Sequence, residues 1–161
     1  GGEYGVAILS KFPMEKTSNN PLPTAEGTGG EHRTLATAVI NLPGNKKIVF
    51  ACTHLDAQKN DTNRLLQIQK IADILEGEKL PVIIAGDFNS TPSESVINIL
   101  DKYFTRTCSD CGFTIPVINP TKTIDFIAYK PSDKFTVTEH KVIDEKYASD
   151  HLPVMAVLKL K

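Results

Sequence analysis

Short apolar runs, each closed by turn residues, divide the chain into strands and two helices. Tyr4 to Leu9 is an apolar run ending at Ser10-Lys11-Phe12-Pro13, which predicts a strand followed by a turn. Residues 14–32 are rich in Thr, Asn, Gly and Pro with little periodicity and predict a long surface loop. From Arg33 to Leu42 the chain alternates, with Leu35, Thr37, Val39 and Asn41 opposite Ala36, Ala38, Ile40 and Leu42. A Pro43-Gly44-Asn45 turn then leads into a second strand, Lys47 to Leu55, so the pair reads as a hairpin. Apolar residues at 65, 66, 68, 71, 72, 74 and 75 predict an amphipathic helix over 63–76, with Gly77 as its C′ residue. Pro81 to Gly86 is a fully apolar strand. Thr91-Pro92-Ser93-Glu94 carries the N-cap, N1 proline and capping-box glutamate of a second helix. Ile124 to Tyr129, Phe135 to Ile143 and Pro153 to Leu160 predict three further strands, and Tyr4, Phe50, Phe88 and Phe126 are candidate core residues. Mostly antiparallel strands with helices packed outside, and no strict β-α-β alternation, predict an α+β sandwich layer.

Composition narrows this only slightly. A chain of 161 residues with 40% hydrophobic content suits one soluble domain with a sizeable core, over 1–161. Eighteen Lys and Arg against 19 Asp and Glu leave a net charge of −1, which removes any whole-chain electrostatic footprint for long nucleic acid. No apolar run approaches the ~18–20 residues of a membrane-spanning helix. Of three cysteines, Cys52 lies in an apolar run and reads as a core thiol. Cys108 and Cys111 form a C-x-x-C pair without the second pair that a zinc site would want, and read as a loop pair, either a local disulfide or two free thiols. His140 sits mid-strand among alternating neighbours and reads as a surface or edge residue.

The chemistry concentrates at strand ends. Thr53-His54-Leu55-Asp56 follows one apolar strand and Gly86-Asp87-Phe88-Asn89 another; Thr123-Ile124-Asp125-Phe126-Ile127 and Ser149-Asp150-His151-Leu152-Pro153-Val154 complete the set. Taken singly, each has a plain structural reading: a His after a strand is usually exposed, and Gly-Asp-x-Asn is good turn sequence. Asp125, inside an apolar strand, is harder to dismiss because an unpaired buried carboxylate is costly. Together, acids, an amide and two imidazoles on one rim would suit a hard divalent cation and proton transfer near neutral pH. His32, Arg33 and Lys11 lie near the same rim in sequence; for His32 and Arg33 a solvated strand start is the simpler reading.

These clusters, in this order, resemble the endonuclease/exonuclease/phosphatase superfamily, as do Gly5-Val6-Ala7-Ile8-Leu9-Ser10-Lys11 and Asn63-Arg64-x-x-Gln67. The resemblance runs from residue 5 to about 158. It implies a deoxyribonuclease-I-like β-sandwich with outer helices and a Mg²⁺- or Mn²⁺-dependent hydrolase of phosphodiester or phosphomonoester bonds. Its substrate is a phosphate ester, with nucleic acid within that range. The alternative is a catalytically inactive fragment or binding scaffold of the same fold. The implied catalytic residues are His54, Asp87, Asn89, Asp125 and His151, with Asp150, Asp87 and Asn89 on the metal side. Family members also carry an N-terminal Asn and a metal-binding Glu; no match to either is found, and Glu3 and Glu15 lie in the wrong context. The resemblance thus implies a C-terminal part of the fold, with a homodimer as one way to cover the exposed edge.

Overall fold

Alternate residues of the central strands feed two separate cores, and this parity sets the architecture. The computed structural model describes residues 5–161. Its elements in chain order are β1 (Met14–Pro21), β2 (Thr34–Leu42), β3 (Lys46–His54), α1 (Thr62–Glu76), β4 (Val82–Asp87), α2 (Ser95–Tyr103), β5 (Thr105–Arg106), β6 (Asp125–Lys130), β7 (Phe135–Val142) and β8 (Val154–Leu160). Among the described residues, six strands form one sheet in the order β1-β2-β3-β4-β6-β5, while β7 and β8 pair as a second. Leu35, Val39, Val49, Ala51, Val82, Ile84, Phe126 and Ala128 pack on one face against Ile68, Ile71 and Leu75 of α1 and Val96, Ile97 and Leu100 of α2. Residues of the opposite parity, Ala38, Ile40, Ile48, Phe50, Ile83 and Tyr129, face Phe135, Val137, Leu158 and Leu160 of the second sheet. The unbroken apolar run of β4 follows from its position, covered on both faces at the centre of the sheet. This is the α+β sandwich with outer helices that the resemblance implies.

Several local expectations change. The hairpin of β2 and β3 forms, but β3 and β4 pair in parallel through α1, so one β-α-β unit is present. Met14–Pro21 is a strand rather than loop, paired antiparallel with β2 through a bulge between Glu15 and Ser18. It is an edge strand with mostly exposed side chains, so it lacks the apolar alternation that would reveal it. Gly5 to Leu9 has no regular structure; Tyr4 and Glu3 lie outside the described residues. Glu15 forms an ion pair with Lys47. The Glu94 carboxylate accepts from the Thr91 hydroxyl and backbone N–H, but α2 begins at Ser95, so this capping contact closes the turn ahead of the helix. Gly77 ends α1 with φ of −80°, not in the left-handed conformation. Cys52 is only half-buried, because the helix-facing parity of β3 belongs to Ala51 and Thr53.

A register shift between Val137 and Glu139 resets the parity of β7. Phe135 and Val137 face the core before it; His140 and Val142 do so after it, opposite Ala156 and Val154. His140 is therefore directed inward, with Nδ1 2.8 Å from the Thr107 hydroxyl, and is not the surface residue that simple alternation predicts.

Two contacts hold the ends of β3 and β4 in place. A Cβ on Gly86 would lie 2.0 Å from the Thr53 carbonyl oxygen, so the strands approach here only because residue 86 has no side chain. Below that point, fully buried Gln67 of α1 accepts from the Asp56 N–H at 2.9 Å and donates to the Pro23 carbonyl at 3.2 Å. Asn63 donates to the Asp56 carboxylate, and Arg64 to the Asp56 carbonyl at 3.1 Å. The Asn-Arg-x-x-Gln pattern therefore clamps the turn that follows His54.

Gly86→Ala is expected to destabilise the protein by about 3 kcal/mol, since backbone must move to admit the methyl group. Gly5→Ala, with nothing within 4 Å of its added Cβ, is expected to stay within about 0.5 kcal/mol in the same urea-unfolding series. Gln67→Leu leaves the buried Asp56 N–H without its acceptor and is expected to cost about 1–3 kcal/mol by the same measurement; no change in midpoint would refute the clamp.

Candidate active site

Strand register assembles the site. His54 ends β3 and pairs with Asp87 at the end of β4, and Asp87 pairs with Asp125 at the start of β6. Three chemically active side chains thus stand in one row across three adjacent strands. His54 Nε2 lies 3.2 Å from Asp87 Oδ2. His151, from the segment before β8, places Nδ1 2.9 Å from Asp125 Oδ2 and Nε2 3.9 Å from Asp87 Oδ2. An ionised Asp125 can only accept, so Nδ1 carries the proton and Nε2 is presented towards Asp87. Asn89 adopts a positive φ of 48°, tolerable for Asn, and its backbone N–H donates to Asp87 Oδ1 at 2.7 Å. The Asn89 amide donates to the Leu55 carbonyl at 2.9 Å, and the Leu55 N–H donates to the Asp87 carbonyl at 2.9 Å. The turns after β3 and β4 are thereby tied together. Asp87, Asp125, Ser149, His151 and Pro153 line a cleft of about 300 Å³.

The charges are far from those of the same groups in water. Burial raises the Asp87 pKa to about 6, against the Asn89 N–H and the His151 and Arg33 charges that favour ionisation; Asp125 adds repulsion. For His151, burial favours the neutral ring, but the hydrogen bond and charge of Asp125, reinforced by Asp87 and Asp150, hold its pKa above the ordinary value. Burial, with the nearby Arg33 and His151 charges, lowers that of His54. The row therefore favours a neutral His54, a reluctant carboxylate and a cationic His151.

Five of the sequence-predicted residues, His54, Asp87, Asn89, Asp125 and His151, are brought together. Asp150 is not in direct contact with the row: its exposed carboxylate accepts from Ser149 at 3.4 Å, while its carbonyl accepts from the Val117 N–H at 2.8 Å. One carboxylate oxygen from each of Asp87 and Asp125 and a ring nitrogen of His151 lie within 4.8 Å of one another; the two carboxylates can face a divalent cation, whereas a charged His151 has no lone pair to give it. The donors fit a hard ion that takes one or two protein oxygens and completes its shell with water and phosphate. Arg33 is the residue for which the solvated reading fails. It is 8% exposed, pairs with Glu31 at 2.7 Å, and lines a small pocket with His32 and His54. Its position at a strand start gave no signal of burial, because the covering chain comes from distant segments.

The protein-family model described as the endonuclease/exonuclease/phosphatase family matches residues 1–151. Solved structures with the same fold include a functionally unknown conserved protein from Enterococcus faecalis, with 20% identity, a TM-score of 0.80 and coverage of 94% of this chain and 68% of that one. A mannosyl-6-phosphatase from Bacteroides thetaiotaomicron is 20% identical, with a TM-score of 0.77 and coverage of 93% and 68%. The human nocturnin catalytic domain with bound sulfate is 21% identical, with a TM-score of 0.73 and coverage of 93% and 60%. The chain thus spans about three-fifths to two-thirds of the length of these structures. With the family model spanning most of the chain and the strand-end residues in the family's order, this protein belongs to the endonuclease/exonuclease/phosphatase family of hydrolytic phosphoesterases.

Proposed function

We propose that His54, Asp87, Asn89, Asp125 and His151 serve a Mg²⁺- or Mn²⁺-dependent active centre that hydrolyses phosphodiester or phosphomonoester bonds. The observation that supports it most is the Asp87 carboxylate between two imidazoles, 3.2 Å from His54 and 3.9 Å from His151, with His151 oriented by Asp125 at 2.9 Å. Asp87, ionised, orients the attacking water and takes up its proton. His151, kept charged by Asp125, neutralises a non-bridging phosphoryl oxygen as negative charge builds. The neutral His54 contacts the phosphate on the side of the leaving group, and Asn89 holds a phosphate oxygen. Asp87 and Asn89 would hold the cation, with Asp150 reaching it through water; when bound, the ion supplies polarisation of the phosphoryl oxygen. The near-zero net charge favours a small phosphate ester or lipid headgroup over long nucleic acid.

Turnover of a generic phosphodiester and a generic phosphomonoester is the direct test, with Mn²⁺ or Mg²⁺ and with chelator. Asp87→Ala and His151→Ala are each expected to lower kcat/KM by about 100-fold or more. Activity that persists in chelator, or that survives both substitutions, would refute the assignment.

The raised pKa of Asp87 has a stability consequence. Because its folded value of about 6 lies above the ordinary 3.8, the native state holds this proton more tightly than the unfolded chain. The penalty for ionising Asp87 is absent below pH ~4, grows through the window between the two values, and is complete above pH ~6. In chelator, Asp87→Asn is therefore expected to raise stability at pH 7.5 by about 1–3 kcal/mol, while the gain vanishes near pH 4. Urea unfolding at the two pH values checks this; equal effects at both would show that the carboxylate is not penalised by burial.

A further inference from the structure

A second group of metal-binding atoms lies outside the active-site row. The Sγ atoms of Cys108 and Cys111 and a ring nitrogen of His140 lie within 4.8 Å of one another. The two cysteines are joined as a disulfide, closing the loop that follows β5. The histidine comes from β7 in the other sheet, turned inward by the bulge between Val137 and Glu139.

The hydrogen bonds around His140 define which nitrogen is available. The Thr107 hydroxyl has one hydrogen, which it donates to the Ile127 carbonyl at 3.0 Å. At 2.8 Å from His140 Nδ1, the same oxygen must therefore accept, so Nδ1 carries the ring proton. Nε2 is left with its lone pair; it is buried and has no hydrogen-bond partner. A histidine whose far nitrogen is fixed by an outer hydrogen bond while the other points unpartnered into protein is arranged as metal ligands are. Two residues between the cysteines let both sulfurs face one point, and tetrahedral zinc with bonds of about 2.3 Å to sulfur and 2.0–2.1 Å to nitrogen needs donor separations of roughly 3.5–3.8 Å. A ring nitrogen of His140 already lies within 4.8 Å of both sulfurs, and the sulfurs, bonded to each other in the disulfide, reach that spacing only when the bond opens. Arg106, held by Asp101 at 2.8 and 2.9 Å, places Nη1 3.9 Å from Cys111 Sγ, where its charge favours a thiolate.

We propose that Cys108, Cys111 and His140 form a redox-gated structural site for a thiophilic divalent cation, Zn²⁺, closed in the disulfide state and open in the dithiol state. In the opening step two small-molecule thiols give two electrons and two protons to the disulfide and become a disulfide themselves. Zn²⁺ then displaces both cysteine protons and takes Nε2 of His140, with water completing the tetrahedron. The site ties the loop after β5 to the second sheet. That loop also supports the turn carrying His151: Leu152 N–H donates to the Thr114 carbonyl at 2.7 Å, and Val117 N–H to the Asp150 carbonyl at 2.8 Å. The role is bracing, and it stands whether or not the proposed phosphoesterase chemistry does.

The test uses the whole chain, reduced with thiol and desalted anaerobically, beside the oxidised chain. Each is titrated with Co²⁺, followed by Zn²⁺. Thiolate-to-cobalt charge-transfer absorption at one equivalent is expected in the reduced chain alone, to be bleached by Zn²⁺. Zn²⁺ is expected to raise the Tm of the reduced chain and protect Cys108 and Cys111 from alkylation. Asp87→Ala is expected to leave the absorption unchanged, separating this site from the active-site row, whereas Cys111→Ser abolishes it and His140→Gln weakens binding at least about tenfold. No charge-transfer band in the reduced wild-type chain, or a band of equal affinity in folded His140→Gln, would overturn the proposal; the wild-type arm requires no variant to fold.

Discussion

The pairing of β3, β4 and β6 is the constraint on which the site depends. Because His54, Asp87 and Asp125 occupy successive register positions across these strands, their relative placement is set by backbone hydrogen bonds rather than by loop conformation. A slip of one residue in either pairing would turn a catalytic candidate to the opposite face. The fold guards this register from both sides. Gly86 permits the close approach of β4 to the Thr53 carbonyl, and Asp56, Asn63, Arg64 and Gln67 lock the turn after His54 to α1. Motifs that look catalytic are thus partly structural: in Thr-His-Leu-Asp, His54 faces Asp87 while Asp56 is buried as an anchor.

The same register creates an electrostatic conflict. Asp87 and Asp125 are neighbours across β4 and β6, and burial of Asp87 disfavours its charge. His151 relieves this by bonding to Asp125 and approaching Asp87, and the Asn89 N–H adds a fixed dipole. What remains is a carboxylate that still gains from a nearby cation. Ionising such a carboxylate carries a cost that a bound cation would offset, a common tension between stability and function.

Much of this was legible along the chain. Both helices, the β2–β3 hairpin and the strands β4, β6, β7 and β8 announced themselves through periodicity, because each buries a face whose spacing matches its backbone. The strand-end clusters around His54, Asp87, Asp125 and His151 were legible as a set, since acids and imidazoles recurring where apolar strands stop have no common packing explanation. The edge strand β1 was not, because it is held by backbone pairing with β2 and needs no apolar pattern of its own.

Sequence by itself determined which residues are apolar, where both helices and most of the strands run, and which polar groups are available to react. Only the tertiary structure decided which of those groups meet. Burial of Arg33 beside His54 and the inward turn of His140 depend on chain segments far away in sequence, and on a bulge that shifts parity by one residue. The convergence of Cys108, Cys111 and His140 has the same origin, joining a loop of one sheet to a strand of the other. Local pattern records the environment that a backbone element prefers; distances between side chains on different elements arise from packing, register and close approach, which no single stretch of sequence contains.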